Sequence, residues 1–402
     1  MPHPTPASEI HLFRLIPLGL EILVPLLFFW LTAIRRARPE DAQRTSRHRN
    51  PVLGALVLQA CLLVLTLVLL GLFSNILGRC FHIRTLFLML RIVDEYLFAA
   101  FPLVLFLLLM GHGLFVPASR RSPSWTLPVL VLLLVLNCLI GVEAHFLCPT
   151  RLTLETVSVP LPAVPPSRTP VRIALVGDIQ SEAPAAFEAR AMAEVNAARP
   201  DLILLLGDYF HDTVAGDFEA HLPALRNLLR SLRAPHGIFA IEGDFEDRDR
   251  LLRIVEGTSI TPLFGERVSL EIRGLTLHLY GFGNSLLGPP AGHRYRQLRR
   301  GVDRPGVHLL MAHQPDILFH LPADSGPDLV VAGHTHGGQV CLPWIGPLVN
   351  FQKLPLKYSS GLHTVNGQRI YVTRGIGMER SEAPRIRFLC PPEITLLTLV
   401  PR

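Results

Sequence analysis

Residues 202–208 read LILLLGD, and this stretch decides the fold. Five apolar side chains in a row leave no polar face, so the segment is a strand covered on both sides. Gly207 then turns the chain and presents Asp208. The same pattern recurs four times: IALVG before Asp178, FAIEG before Asp244, HLLMA before His313 and LVVAG before His334. Each time an apolar run meets a small residue and then a side chain able to bind a metal. Open α/β sheets place their ligand sites beyond the carboxyl ends of the strands, so all five side chains are expected on one rim. The small residue before each is expected to let the backbone turn sharply. Any one of these residues alone is an ordinary turn or helix cap; five in series point to a shared metal site.

Between the strands lie segments with helical period, PAAFEARAMAEVNAARP at 184–200 and FEAHLPALRNLLRSLR at 218–233, the latter with Pro223 as a break or kink. Shorter helices are expected near 247–255 and 314–321. VSLEIRGLTLHLYGF reads as a hairpin turning at Gly274, and RIYVTRG, IRFL and EITLLTLV as closing strands. Strands alternating with helices, followed by consecutive strands, predict a layered α/β sandwich over 171–402. Residues 149–170 read as a linker with an edge strand, LTLETVSVPLP.

The most specific segment is His334-Thr335-His336-Gly337-Gly338, in which two imidazoles two residues apart sit in a glycine-rich turn. Mixed carboxylate and imidazole ligands suit Zn, Mn or Fe; carboxylates alone would have suggested Mg or Ca.

At this point the sequence resembles the calcineurin-like metallophosphoesterases. Within that family it is similar to the membrane-associated, YkuE-like and UDP-2,3-diacylglucosamine hydrolase-like branch. The matching segments are Gly207–Asp208, APHGIFAIEG at 234–243, MAHQPD at 311–316, GHTHGGQVCLP at 333–343, RIYVTRGIG, PRIRF and PPEI. The resemblance implies a four-layer α/β/β/α sandwich and two divalent metal ions (Mn, Zn or Fe, with Mg as a harder alternative). One metal would be held by Asp178, Gln180, Asp208 and His336, the other by Asp208, Asp244, His313 and His334, with Asp208 shared. It assigns catalytic roles to Asp208, Asp244 and His334, and implies phosphodiester or pyrophosphate hydrolysis by a metal-bridging hydroxide.

The sequence departs from the family pattern in three places. Asp-x-His is here Asp178-Ile179-Gln180, which gives a poorer ligand. Gly-Asn-His-Asp/Glu is here Gly243-Asp244-Phe245-Glu246, which removes the imidazole near the leaving oxygen. The Asp expected three residues after Asp208 is His211, read as a surface loop residue. Losing two imidazoles and gaining a carboxylate favours harder ions such as Mn or Mg.

The first 148 residues have a different character. The chain's mean hydropathy is +0.37, and the apolar excess lies in four stretches near 13–34, 52–73, 96–116 and 126–146, each long enough to cross a bilayer. Residues 1–150 carry 12 arginines against 7 acidic residues, whereas the remainder is nearly balanced. A near-neutral soluble part excludes a nucleic-acid partner and leaves the membrane and a phosphorylated small-molecule or lipid-linked substrate as partners. The arginine-rich loops at 35–51 and 117–125 are expected on the cytoplasmic side, which places both termini and the sandwich outside, in an integral protein of a bacterial inner membrane. Arg91, Asp94 and Glu95 read as a helical ion pair near the interface. Cys61 and Cys138 read as packing residues; Cys80 with Cys148 and Cys341 with Cys390 are candidate pairs.

Three functions compete on this reading. The first is a membrane-anchored phosphoesterase acting on a lipid-linked or envelope phosphate. The second is a catalytically weakened sensor that binds metal or phosphate and is coupled to the spans. The third is a transport or scaffold role for the spans themselves.

Overall fold

The computed structural model describes residues 22–31, 51–77, 82–115, 126–166, 170–181, 183–211, 217–300, 302, 305–322, 326–349, 352–379 and 383–402. The chain divides into two compact units, Met1–Glu143 with Glu382–Pro384, and Ala144–Ser381 with Arg385–Arg402.

In the first unit the described residues before Glu143 are helical. Two stretches, Phe87–Met110 and Leu127–Thr150, are long and apolar enough to cross a membrane, while Ile22–Leu31 and Ala55–Val68 are shorter apolar helices. Among the described residues two such stretches are present where four spans were expected; the ends of the first span, nearly all of the loop at 35–51, the loop at 117–125 and Cys80 lie outside the described residues, and the second expected span lies within a helix over Pro51–Leu77. The third expected span also begins earlier than its apolar run. Its helix starts at His82 and passes through a π-turn at Tyr96–Ala100 to Phe115. Arg91 and Glu95 sit one turn apart on it, 3.3 Å from each other, so their charges do not end the helix. Cys61 and Cys138 are at exposed helix positions rather than packed ones.

The second unit holds two six-stranded sheets. The strands are β1 (Thr153–Leu161), β2 (Val171–Val176), β3 (Leu202–Leu205), β4 (Ile238–Ala240), β5 (Ile260–Pro262), β6 (Arg267–Ile272), β7 (Leu275–Phe282), β8 (Val307–Ala312), β9 (Leu329–Ala332), β10 (Cys341–Leu342), β11 (Gly346–Pro347), β12 (Gly361–Val365), β13 (Gln368–Val372) and β14 (Glu393–Pro401). The first sheet has the order β1-β14-β2-β3-β4-β5 and the second β12-β13-β9-β8-β7-β6, with β10 and β11 as a separate small hairpin. The central strands pair in parallel in both sheets.

Side chains that alternate along each strand explain the layers. Ile173, Leu175, Leu202, Leu204, Leu309, Met311, Leu329 and Val331 fill the space between the sheets. Their neighbours Ala174, Val176, Ile203 and Leu205 pack on α1 (Ala186–Ala197), α2 (Asp217–Arg230) and α3 (Arg248–Val255). Leu310, Ala312, Val330 and Ala332 pack with Ala291 and Tyr295 of α4 (Pro290–Arg299). Helices therefore cover both outer faces of the paired sheets, which is why the core strands show no polar face in the sequence.

The expected hairpin is β6–β7, with Ile272 opposite Leu275. Arg273 and Gly274 both have positive φ, 53° and 76°, as a two-residue hairpin turn requires. Helix α2 runs through Pro223 without ending there. Two expectations need correction, and one helix was missed. The helix at 314–321 is a short 3₁₀ segment, Pro315–His320, whose Asp316 carboxylate is engaged by the backbone N–H groups of Lys353 and Leu354. IRFL is not a strand; only Phe388 bridges, to Val340, because Arg387 is drawn into the core. Helix α4 was not anticipated, since its apolar contribution rests on Ala291 and Tyr295.

Leu204→Ala opens a cavity between the sheets and should lower stability by about 2–5 kcal/mol. The urea midpoint of the detergent-solubilised protein measures this, and an unchanged midpoint contradicts the packing described.

Candidate metal centre

Asp178, Asp208, Asp244, His313 and His334 follow the carboxyl ends of β2, β3, β4, β8 and β9 and meet at one edge of the paired sheets. Asp208 Oδ1 accepts the backbone N–H groups of Asp244 (2.6 Å) and Phe245 (3.2 Å). Its Oδ2 lies 3.3 Å from His313 Nε2. The same imidazole nitrogen is 3.4 Å from Asp244 Oδ2, which also lies 2.6 Å from His334 Nδ1. Asp178 accepts the backbone N–H of His334 with both oxygens, at 2.9 and 3.0 Å.

Two sets of donor atoms each lie within 4.8 Å of one another: Asp244, His313 and His334; and Asp178, Asp208 and His313. His313 thus belongs to both sets. His336 belongs to neither, although its ring is buried. Gln180 is also buried, and its Nε2 donates to Asp208 Oδ2 at 3.0 Å.

The backbone around these residues is unusual. Asp178, Gln180, Asp208, His334 and His336 all have left-handed φ, between 39° and 70°. Non-glycine residues adopt this region rarely and at some cost. The turning was expected at the small residue before each ligand, but only Gly207 among those has positive φ. The other small residues serve close approach instead. A Cβ on Gly243 would lie 2.1 Å from Asp208 Oδ1, and one on Gly333 would lie 2.6 Å from Asp178 Oδ2.

The electrostatics fit a cationic occupant. Burial pushes the Asp178 carboxyl up to about 6, against the pull of His313. Asp208 is lowered despite its burial, chiefly by His313. Asp244 is likewise held far below the usual carboxylate range, its burial outweighed by hydrogen bonds from His313 and His334. Burial would depress His313, but Asp208 and Asp244 raise it well above its ordinary value. Burial, and then Arg387, push His336 well below its ordinary value and keep it neutral. His313 Nδ1 faces the Leu206 carbonyl at 2.8 Å; a carbonyl only accepts, so this nitrogen carries the proton. Nε2 faces Asp208 and Asp244, which hold a second proton on it; a divalent ion bound there would displace that proton and take the Nε2 lone pair. Among the described residues, both ring nitrogens of His336 and Gln180 Oε1 are buried with no hydrogen-bond partner, and His313 Nε2 meets only the Asp208 and Asp244 carboxylates. Buried polar atoms of this kind are expensive unless something binds them. The residues present therefore fit divalent metal.

Several supporting residues are not singled out by the sequence. Glu246 is the last residue of the third motif there. In the structure its carboxylate accepts backbone N–H groups of Asp208 (3.0 Å), Tyr209 (2.7 Å), Phe210 (3.2 Å) and Gly243 (3.3 Å). It fastens the two aspartate loops together, and burial and the Asp208 charge push its carboxyl up to about 8. Asn284 and Gln314 donate to Asp244 Oδ1, and Glu242 Oε2 accepts from Ser285 Oγ at 2.6 Å. Arg387 is fully buried and donates to the carbonyls of Arg374, Gly377, His336 and Cys390, tying the histidine turn to the chain's last loops. Cys341 and Cys390 are free thiols that donate to the Gly337 and His336 carbonyls, each at 3.4 Å, and Cys148 is a free, buried thiol. His211 is not a surface residue: it is buried, with its ring 4.1 Å from that of Phe245. Two of the three departures from the family pattern therefore touch each other.

This fold and site define a metal-dependent phosphoesterase. The comparisons agree: the chain belongs to the calcineurin-like phosphoesterase family, whose model matches residues 171–338. It is 32% identical over 213 residues to the uncharacterized metallophosphoesterase YkuE of Bacillus subtilis, covering 51% of this chain and 70% of that protein. It is 30% identical over 213 residues to the phosphodiesterase YaeI of Escherichia coli, covering 50% and 71% respectively. YkoQ of Bacillus subtilis, another uncharacterized metallophosphoesterase, is 28% identical over 206 residues, covering 48% and 71%. The chain is accordingly a hydrolase of phosphoric ester bonds in a family that uses divalent metals.

Glu246→Gln turns an amide N–H₂ toward backbone donors that need an acceptor. It should destabilise the sandwich by about 1–3 kcal/mol, read as a lowered denaturation midpoint. Gly243→Ala should leave far-UV circular dichroism intact yet abolish the rise in melting temperature on adding Mn, because its methyl displaces Asp208. A Gly243→Ala protein that melts with the same metal-dependent rise contradicts the close approach described.

Proposed function

We propose that this chain hydrolyses phosphodiester or pyrophosphate bonds at a membrane surface. The observation that carries the reading is the buried His313 Nε2, which lies 3.3 Å from Asp208 and 3.4 Å from Asp244 and belongs to both sets of clustered donor atoms. Asp208, Asp244, His313 and His334 would hold one metal. Asp178, Asp208, Gln180 and His336 would hold the other, more weakly because an amide replaces an imidazole. Bound there, two divalent ions supply Lewis acidity toward phosphate oxygens and a nucleophile at neutral pH.

The protein's own groups set the geometry and the protonation states. The Leu206 carbonyl fixes the His313 tautomer. Asn284 and Gln314 orient Asp244 by donating to its Oδ1, which leaves Oδ2 directed at His313 and His334. Glu246 holds the Asp208 and Gly243 loops at a fixed separation. Phe245 places a hydrocarbon ring where the family pattern has an imidazole, so no protonated side chain is supplied there for the leaving oxygen. The favoured substrates are then those whose leaving group departs unprotonated, such as a pyrophosphate bond or an aryl ester. A preference shifted toward harder ions such as Mn or Mg follows from the exchange of imidazoles for carboxylate and amide.

The apolar first unit supports membrane anchoring. We read it as four spans with the arginine-rich loops cytoplasmic and the sandwich outside, in a bacterial inner membrane. A lipid-linked or envelope phosphate is then the substrate class, as in the diacylglucosamine hydrolase-like branch; nucleic acid is not. Gln180 and Phe245 favour a second reading, a metal- or phosphate-binding sensor coupled to the membrane helices.

Activity toward a panel of phosphodiesters and pyrophosphates, with Mn, Zn and Mg supplied separately, tests the assignment. Hydrolysis should require metal, be lost on chelation, and be fastest for leaving groups of low pKa. Phe245→His should raise the rate on alkyl esters by roughly 10²–10⁴ and change aryl esters little. Absence of turnover by the native protein on every compound, with activity appearing only in the doubly restored Gln180→His, Phe245→His protein, would establish the sensor reading instead.

A further inference from the structure

The hairpin β10–β11 is built directly on the turn that carries His334 and His336. It begins at Cys341, three residues beyond Gly338, and its Pro347 packs so closely on Gly338 that a Cβ there would lie 2.5 Å away. At its tip Trp344 is completely exposed and Ile345 is 70% exposed. Leu348 and Leu356 beside the hairpin are also exposed. A solvent-facing Trp-Ile pair on a short, hydrogen-bonded hairpin is not explained by the core, by the metal centre or by the turn chemistry.

Charge marks the same region. The chain has only two lysines, Lys353 and Lys357, against 36 arginines. Both are exposed, and Lys357 lies on the 3₁₀ turn Leu356–Tyr358, which packs against β11. From Leu329 to Met378 there is no acidic residue. An exposed Trp with flanking lysines is the composition found where a protein surface meets lipid headgroups.

A third observation connects this patch to the end of the last apolar helix. That helix ends at Thr150, and β1 begins at Thr153. In its final turns Phe146 and Leu147 are exposed, 67% and 50%. The Arg387 backbone N–H donates to the Ala144 carbonyl (3.0 Å), and one residue on, the Phe388 carbonyl accepts the Cys341 N–H (2.9 Å). Residues 387–388 thus join the helix end to the first residue of the hairpin, within one compact unit.

We propose that the β10–β11 hairpin is a membrane-docking element: Trp344 and Ile345 enter the headgroup–acyl boundary, and Lys353 and Lys357 meet anionic headgroups. This rests on the membrane anchoring proposed above. It seats the rim bearing His334 and His336 at the lipid surface, so a phosphate held in that surface reaches the centre more readily than one in solution.

The full chain, reconstituted in phosphatidylglycerol-containing vesicles, tests the proposal. With Trp30→Phe and Trp125→Phe, Trp344 is the sole tryptophan. Its emission should be blue-shifted, quenched by bromine-labelled phospholipid and shielded from aqueous iodide. Emission quenched by iodide and indifferent to brominated lipid overturns the proposal. So does shielding from both quenchers, which would mean that protein, such as a second copy, covers the tip. This readout needs no turnover, so an inactive protein would sink the phosphoesterase reading and leave the docking test decisive. A second variant, Trp344→Ser with Ile345→Ser, should lower hydrolysis of a vesicle-embedded phosphodiester at least about tenfold while leaving a water-soluble aryl phosphodiester unaffected. An equal loss on both would mark the hairpin as structural and contradict docking.

Discussion

Three aspartates and a glutamate crowd one largely buried rim, and much of the surrounding structure follows from that constraint. Carboxylates removed from water repel one another and are tolerated only where positive charge or hydrogen-bond donors meet them. Here Glu246 is met by four backbone N–H groups, Asp178 by the N–H of His334, and Asp208 by those of Asp244 and Phe245. What the backbone cannot supply is a cation between Asp208, Asp244 and Asp178. The left-handed conformations at five of the site residues are the local cost of aiming these groups inward.

The sandwich makes that cost supportable. Its two sheets are packed against each other through one apolar layer and covered by helices outside, so the loops at the strand ends hang from a rigid frame. Loops on such a frame can hold strained backbone because the flanking strands over-determine their position. Arg387 extends the frame by binding carbonyls from separate loops, so that the turn at 334–338 and the chain's last loops move as one body.

Much of this was readable beforehand, for a physical reason. Apolar runs ending in Gly-Asp or Gly-His encode strand, turn and ligand in contiguous residues, so LILLLGD and LVVAGH predict both the sheet and its rim. The hairpin at Gly274 was legible for the same reason. Glu246, Arg387 and Asn284 were not, because their roles lie in contacts with loops distant in sequence. His211 was misjudged as a surface residue because its partner, Phe245, lies 34 positions away and neither residue carries a local burial signal. The ion pair of Arg91 with Glu95 was legible from its helical spacing, but the early start of the third apolar helix was not, because residues 82–95 carry charges outside the apolar run.

The His211–Phe245 ring contact also bears on how the site was reshaped. Both positions depart from the family pattern, and they depart together into one aromatic contact. The central proposal is that this rim would bind two metals, with Asp178, Asp208, Asp244, His313 and His334 clustered as donors and His336 buried beside them. Metal content of the purified full-length protein, measured after loading with Mn and removal of free ion, tests it most directly. The account predicts two equivalents per chain, with Asp208→Asn losing both. One equivalent or fewer in the native protein, or an undiminished content in Asp208→Asn, would contradict it.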